Sequence, residues 1–274
     1  MIKLMPSNTY QTAALGLESD WNQDPLGRRQ IREPLISTAT EWATLKPLPL
    51  GEQEECHVSA AAQIRRYYPA GGDVKVVATV FSPITQAIQL SGQKTICQHA
   101  KESPQLLAEG LRCLSERTRR LLAAYQQTGV DGIFYVVQHY IQGCEAMQSL
   151  AIDLDQTLMA DIPLKNNVIH LHGHTLFTPI PVAPTDWITH FDWNPHNLSM
   201  MGEGEQNPLA IGFPLETLMT AQTTQHRQDT LTQALKQVKE ACNRTVGMIS
   251  SHCVLPLDFP LSVAKSWVQT IQQC

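Results

Sequence analysis

VKVVATVF, residues 74–81, is a run of β-branched and apolar side chains of strand length. Such a run with no polar alternation marks a strand buried on both faces, as in a parallel sheet covered by helices. Just upstream, VSAAAQIRRYY (58–68) is Ala-rich and helical, stopped by Pro69 and the Gly71-Gly72 pair. Downstream, Ser103 and Pro104 open an amphipathic helix that runs to Gln127, with Ser103 as N-cap, Pro104 in the first turn and Gly129 just past the end. The alternation then continues. Strands are expected at 130–138, 167–172, 186–193, 209–213 and 245–251, and helices at 144–158, 224–241 and 261–273. In the 224–241 helix, Leu231, Leu235 and Val238 are expected on one face. Six strands alternating with helices argue for parallel β/α units. Two more, at 35–38 and 42–45, would close an eight-stranded barrel. The expected fold is therefore α/β, a single-domain (β/α)8 TIM-type barrel at 51–274 preceded by an irregular arm at 1–50. A doubly wound open sheet is the alternative. No GxGxxG or GxxxxGK[ST] follows any strand, so nucleotide phosphate binding has no local support.

Composition narrows the function. The 274 residues are 43% apolar and 16% charged, with 20 Lys+Arg against 25 Asp+Glu. A net charge of −5 without basic runs argues against nucleic acid, because neutralising phosphates needs clustered cations. No apolar run approaches the roughly 20 residues of a membrane span. Residues 1–11 carry one Lys and no apolar segment of the secretory type. A soluble, cytoplasmic protein is expected. Cysteines at 56, 97, 113, 144, 242, 253 and 274 form no CxxC pair, which suits free thiols in a reducing compartment.

Histidines carry the chemistry. Five of the ten lie between His170 and His196. In a β/α barrel the active site is built from the C-terminal ends of the strands. Those ends are Phe81-Ser82, Gln138-His139, His170 to His174, Asp192-Trp193, Gly212-Phe213 and Ser251-His252-Cys253. His170 and His172 alternate along a strand and so share a face. They suit either a metal, with His252 or Cys253 as third ligand and one position left open, or hydrogen bonds to each other and to water. Zinc is the one cofactor expected. Asp192 would orient His170 or His172 as a carboxylate partner. Arg65, Arg66 and the Arg28, Arg29 and Arg32 group could hold substrate carboxylates through bidentate forks. Phe81, Ser82, Gln138 and Trp193 would line the substrate pocket. Asp131, at a strand start, reads as structural.

In order, TVFSPITQAIQLSG (79–92), SPQLLAEGL (103–111), GVDGIFYVVQ (129–138), VIHLHGHT (168–175), DWITHFDWN (186–194), LAIGFPLETLM (209–219) and SHCVLPLDFPLSVAKSWV (251–268) resemble the uroporphyrinogen decarboxylase superfamily. The likeness is strongest to its short members of unassigned activity. It implies a β/α barrel and one of two activities. The first is zinc-dependent methyl transfer from a corrinoid, borne by a corrinoid protein, to a thiol, with His170, His172 and Cys253 as ligands. The second is metal-free decarboxylation of a tetrapyrrole carboxylate in porphyrin biosynthesis, with His252 as proton donor. A non-catalytic barrel that binds a tetrapyrrole or corrinoid is a third possibility. The methyltransferase branch carries H-x-C-G on the middle strand, where this chain has His170-Leu171-His172-Gly173. The Arg-rich opening of the decarboxylases is absent from residues 1–73, and Arg65 and Arg66 would have to replace it. In the last loop, counting back from Pro256 puts His252 at the functional position, and counting back from Pro260 puts Cys253 there.

Overall fold

The computed structural model describes residues 1–138, 144–176, 180, 183–201 and 207–273, and within them each of the six apolar runs is a strand. In chain order, β1 (Ile2–Leu4) comes first, followed by a two-stranded antiparallel ribbon of β2 (Ser19–Asp20) and β3 (Gln30–Ile31). The six runs follow as β4 (Val76–Phe81), β5 (Gly132–Val137), β6 (Val168–Leu171), β7 (Ile188–Asp192), β8 (Leu209–Phe213) and β9 (Val246–Ser251). The helices are α1 (Glu52–Tyr67), α2 (Pro83–Ser91), α3 (Gln93–Glu102), α4 (Pro104–Gln127), α5 (Glu145–Ala160), α6 (Pro195–Ser199), α7 (Leu215–Thr220), α8 (Thr224–Cys242) and α9 (Leu261–Gln273).

Seven strands form one parallel sheet in the order β1-β4-β5-β6-β7-β8-β9, curled into an incomplete barrel. Every residue of β4, β5, β6 and β8 is buried, as their unbroken apolar runs require, since both the lumen and the helix layer cover them. The expected eight-stranded closure is corrected on two counts. Residues 35–38 are not a strand, and 42–45 fall largely in a 3-10 helix, Ala39–Thr44. There the Glu41 carboxylate accepts the backbone N–H groups of Ser37 and Thr38 at 2.7 and 2.8 Å, which starts a helical turn where a strand was expected. Trp42 is driven inward beneath α4, where Gly110 leaves the room; a Cβ on Gly110 would sit 2.6 Å from the indole. Its indole N–H donates to His99 Nδ1 at 3.0 Å. The strand that does join the sheet is Ile2–Leu4, and three residues are too few to show a period.

β1 and β9 are the edges of the sheet, and among the described residues no ladder joins them. The gap is spanned instead by Lys3, whose ammonium donates to the Cys253 carbonyl at 2.6 Å. The N-terminal fifty residues are tied along this side. Tyr10 OH donates to the Thr79 carbonyl at 2.7 Å, and the Phe81 N–H donates to Gln11 Oε1 at 2.6 Å.

Alternation sets the two faces of the sheet. Tyr135 points into the helix layer, where its hydroxyl donates to Asp155 of α5 at 2.6 Å. Phe134, Val136, His170 and His190 point into the lumen, in a register that pairs Val136 with His170 and His170 with His190. On α8 the buried face is Leu231, Ala234, Val238 and Cys242; Leu235, expected inward, is exposed, because the inward row advances by three and then four residues. Cys97 of α3 and Cys144, just before α5, form a disulfide with their Cα atoms 5.4 Å apart, so the expectation of free thiols fails for this pair. Cys56, Cys113, Cys242 and Cys253 are free, and Cys274 lies outside the described residues. Among those residues no helix is long and apolar enough to cross a membrane.

Candidate metal centre

Strand alternation carries His170 to the end of β6 with its ring inside the lumen and His172 two residues beyond, on the same side. His170 Nε2 lies 3.3 Å from His172 Nδ1. From the far side of the gap between the sheet edges, the loop after β9 brings Cys253. One ligand atom from each of His170, His172 and Cys253 falls within 4.8 Å of the other two. Two nitrogens each about 2.0–2.1 Å from a tetrahedral zinc are about 3.4 Å apart, so the imidazole spacing fits one ion. The donor set of two imidazoles and one thiol is also of the kind that zinc takes.

Behind the histidine pair lies a second pair. His170 Nδ1 is 2.6 Å from His190 Nδ1, and His190 Nε2 is 2.7 Å from Ser250 Oγ and 3.3 Å from the Ser251 carbonyl. Gly212 makes this possible, since a Cβ there would stand 3.0 Å from His190 Nε2. His190 escaped the sequence reading although its signal was present: in Thr189-His190-Phe191-Asp192, alternation places His190 on the face of Asp192.

Burial sets the electrostatics of this group. It pushes His190 down to about 3, with Lys3 acting in the same direction, and it pushes His170 well below the usual imidazole range, helped by His190 and His172. His172 and His252 are lowered by burial too, His172 further by Arg28 and Lys3 and His252 further by His174. All four rings are therefore neutral at neutral pH, and each keeps one bare nitrogen. Burial pushes the Cys253 thiol up, while Lys3 pulls it back. Lys3 itself is lowered by burial, with its ammonium 4.2 Å above the Phe134 ring.

The cluster borders a cavity of about 600 Å³ at the C-terminal ends of the strands. Met5, Ile88, Val136 and Phe213 give it apolar walls. Phe81 and Gln138, both expected in the pocket, line it together with His172, Asp192, His252 and Cys253. Asp192 does not face His170 or His172 as expected. Its Oδ2 lies instead 3.8 Å from Nδ1 of His252, in the loop after β9, the strand two places along the sheet from β7. Among the described residues Asp192 Oδ1 and His252 Nε2 are buried without a hydrogen-bond partner, and burial pushes the Asp192 carboxyl up to about 6.

Other expected residues lie elsewhere. Ser82 is buried as the N-cap of α2, its hydroxyl accepting from the Thr85 N–H at 3.1 Å, and Trp193 packs beside Phe191 and Phe213 outside the cavity lining. Arg65 is placed at the opposite end of the sheet. It donates at 2.9 Å to Asp131, which precedes β5 and also accepts the Val76 N–H at 2.7 Å. α1 runs beside β4 and ends there, so Arg65 cannot reach the mouth; Arg66 is exposed on the same turn. Of the N-terminal arginines, Arg28 lines the cavity with its head group on Asp24 at 2.7 Å, and Arg32 is held by Asp20 and Glu18. His139 lies outside the described residues.

No family model matches the chain, and no curated protein matches it in sequence. Among solved structures, a methyltransferase from Methanosarcina mazei superposes with a TM-score of 0.73 over 99% of this chain and 79% of that one, at 16% identity. A B12-independent methionine synthase from a Shewanella species, in complex with selenomethionine, gives 0.49 over 78% and 64%, at 17% identity. The first likeness establishes a shared fold.

Proposed function

We propose that the protein is a zinc-dependent enzyme of the uroporphyrinogen decarboxylase-like type that transfers a methyl group from a corrinoid-type donor to a thiol. One observation carries this reading: His170, His172 and Cys253 bring their ligand atoms within 4.8 Å of one another beside a cavity large enough for a small substrate. The fold shared with a methyltransferase supports it. His170 Nε2, His172 Nδ1 and Cys253 Sγ would hold zinc and leave one position toward the cavity for the substrate sulfur. Zinc bound there supplies Lewis-acid chemistry, so that a coordinated thiol loses its proton at neutral pH. The remaining work falls to the chain. Neutral His252, which lines the cavity and whose Nε2 has no partner among the described residues, takes the thiol proton while Asp192 faces its Nδ1. The apolar wall of Met5, Ile88, Val136 and Phe213 keeps water from competing for the methyl group.

The decarboxylase reading loses its anchor, because Arg65, which was to hold the substrate carboxylates, is bound to Asp131 at the other end of the sheet. Elemental analysis of protein reconstituted with zinc and desalted tests the metal. One zinc per chain, lost on His172→Ala, is expected. With the metal loaded, methylcobalamin should lose its methyl group to added thiols, read from its visible spectrum. Protein that retains no zinc overturns the reading.

A further inference from the structure

His170 reaches the proposed metal through Nε2, and that nitrogen is a ligand only if the ring proton sits on Nδ1. Metal-bound imidazoles generally have this settled by a carboxylate, carbonyl or water on the other nitrogen. Here the partner is a second imidazole, His190, at 2.6 Å, which could donate or accept. The direction is decided one residue further on. The Ser251 carbonyl can only accept, and it faces His190 Nε2 at 3.3 Å. The same carbonyl accepts the Ser250 hydroxyl proton at 2.8 Å, so Ser250 Oγ is left as an acceptor toward His190 Nε2 at 2.7 Å. His190 Nε2 therefore carries the proton. A neutral His190 then has a bare Nδ1, which accepts from His170 Nδ1, and the lone pair of His170 Nε2 is left pointing at His172 and Cys253.

We propose that His190, directed by Ser250 and the Ser251 carbonyl, is a positioning residue that fixes the His170 proton on Nδ1 and so presents Nε2 to the metal. This rests on the zinc reading for its purpose but not for its geometry. The chain of contacts runs from β9 through β7 to β6, across the Gly212 gap in β8. It also adds no charge, whereas a carboxylate in the place of His190 would add a negative one behind the ligand.

Two measurements test it. Long-range 1H–15N correlation on the zinc-free protein reads the tautomers directly, and His170 protonated on Nδ1 with His190 protonated on Nε2 is expected; His170 protonated on Nε2 overturns the proposal. Zinc affinity, from competition with a chromophoric chelator, is then compared for His190→Leu and His190→Asn. Leucine removes the acceptor and should weaken zinc binding about 10–100-fold, the usual effect of losing such a partner. Asparagine keeps an acceptor oxygen near the Nδ1 position and should restore most of the affinity. Equal weakening in both variants, or none in leucine, refutes the role. If the leucine variant does not fold, the tautomer measurement on the wild type still decides. Wild-type protein that shows the expected tautomers yet binds no zinc would refute the metal reading while bearing out the fixed His170 and His190 tautomers.

Discussion

Replacing Asp192 by Asn should stabilise the metal-free protein above neutral pH and do little in acid. The side chain of Asp192 is 13% exposed, its Oδ1 has no hydrogen-bond partner among the described residues, and His252 Nδ1 stands 3.8 Å from its Oδ2, beyond hydrogen-bond reach. Burial without compensation raises the carboxyl from 3.8 to about 6, against a weaker pull from His174. At 1.36 kcal/mol per pH unit the ionised carboxylate costs the folded state about 3 kcal/mol. The sign follows from proton counting. Between about pH 4 and pH 6 the folded protein keeps a proton that the unfolded chain releases, so stability falls as pH rises, and above about pH 6 the cost stays constant. His252 offers no relief there, since burial keeps it neutral. Asn carries no charge at any pH. Urea unfolding in the presence of a chelator should give the two proteins similar midpoints near pH 4. Near pH 8, with an m value of about 3 kcal/mol/M, the variant's midpoint should be about 1 M higher. A variant equal to or less stable than wild type near pH 8 would show that the carboxylate is held by a partner, and would refute the reasoning.

Two further outcomes follow from packing and covalent structure. A Cβ on Gly132 would clash with the Asn166 backbone carbonyl, which cannot swing aside as a flexible side chain could, so Gly132→Ala should cost about 1–3 kcal/mol or more; an unchanged Tm by calorimetry would contradict that contact. The Cys97–Cys144 bond spans 47 residues, and opening it should lower stability by up to about 4 kcal/mol on chain entropy, measured as urea midpoints with and without dithiothreitol; identical curves would mean the thiols are unpaired.

How much was legible in the sequence depended on period and length. The six strands β4 to β9 could be read because each is a run of at least four residues; β4, β5, β6 and β8 are buried throughout, whereas β9 at the edge is only half-buried. Ile2–Leu4 could not, because its place beside β4 is set by tertiary pairing of three residues. Thr38 and Glu41 did carry the T-x-x-E spacing of a helix start, so the 3-10 turn around Trp42 was there to be found. At the site, alternation brought His170 and His172 together, and the same rule applied to β7 would have added His190. Partners across strands were harder. That Asp192 meets His252 while His190 meets His170 depends on register and sheet order, which residue spacing within one strand does not contain. Arg65 was misplaced because a helix's sequence does not say which end of the barrel its last turn will reach.

The open edge of the sheet gives the cluster an unequal foundation. Two donors stand on or beside β6, in the middle of the arc, while the third follows β9, which is laddered on one side only and half-buried along its length. Cys253 is held across the gap by the Lys3 contact to its carbonyl rather than by a neighbouring strand. Edge segments with few backbone partners open at lower free energy than central ones. An ion gripped by all three donors would therefore act as a clasp, drawing the free hem of the sheet against its centre and turning an arc into a ring. Losing such an ion and loosening the hem would then be a single event, and the ion's residence time would be set by how often the last strand lifts.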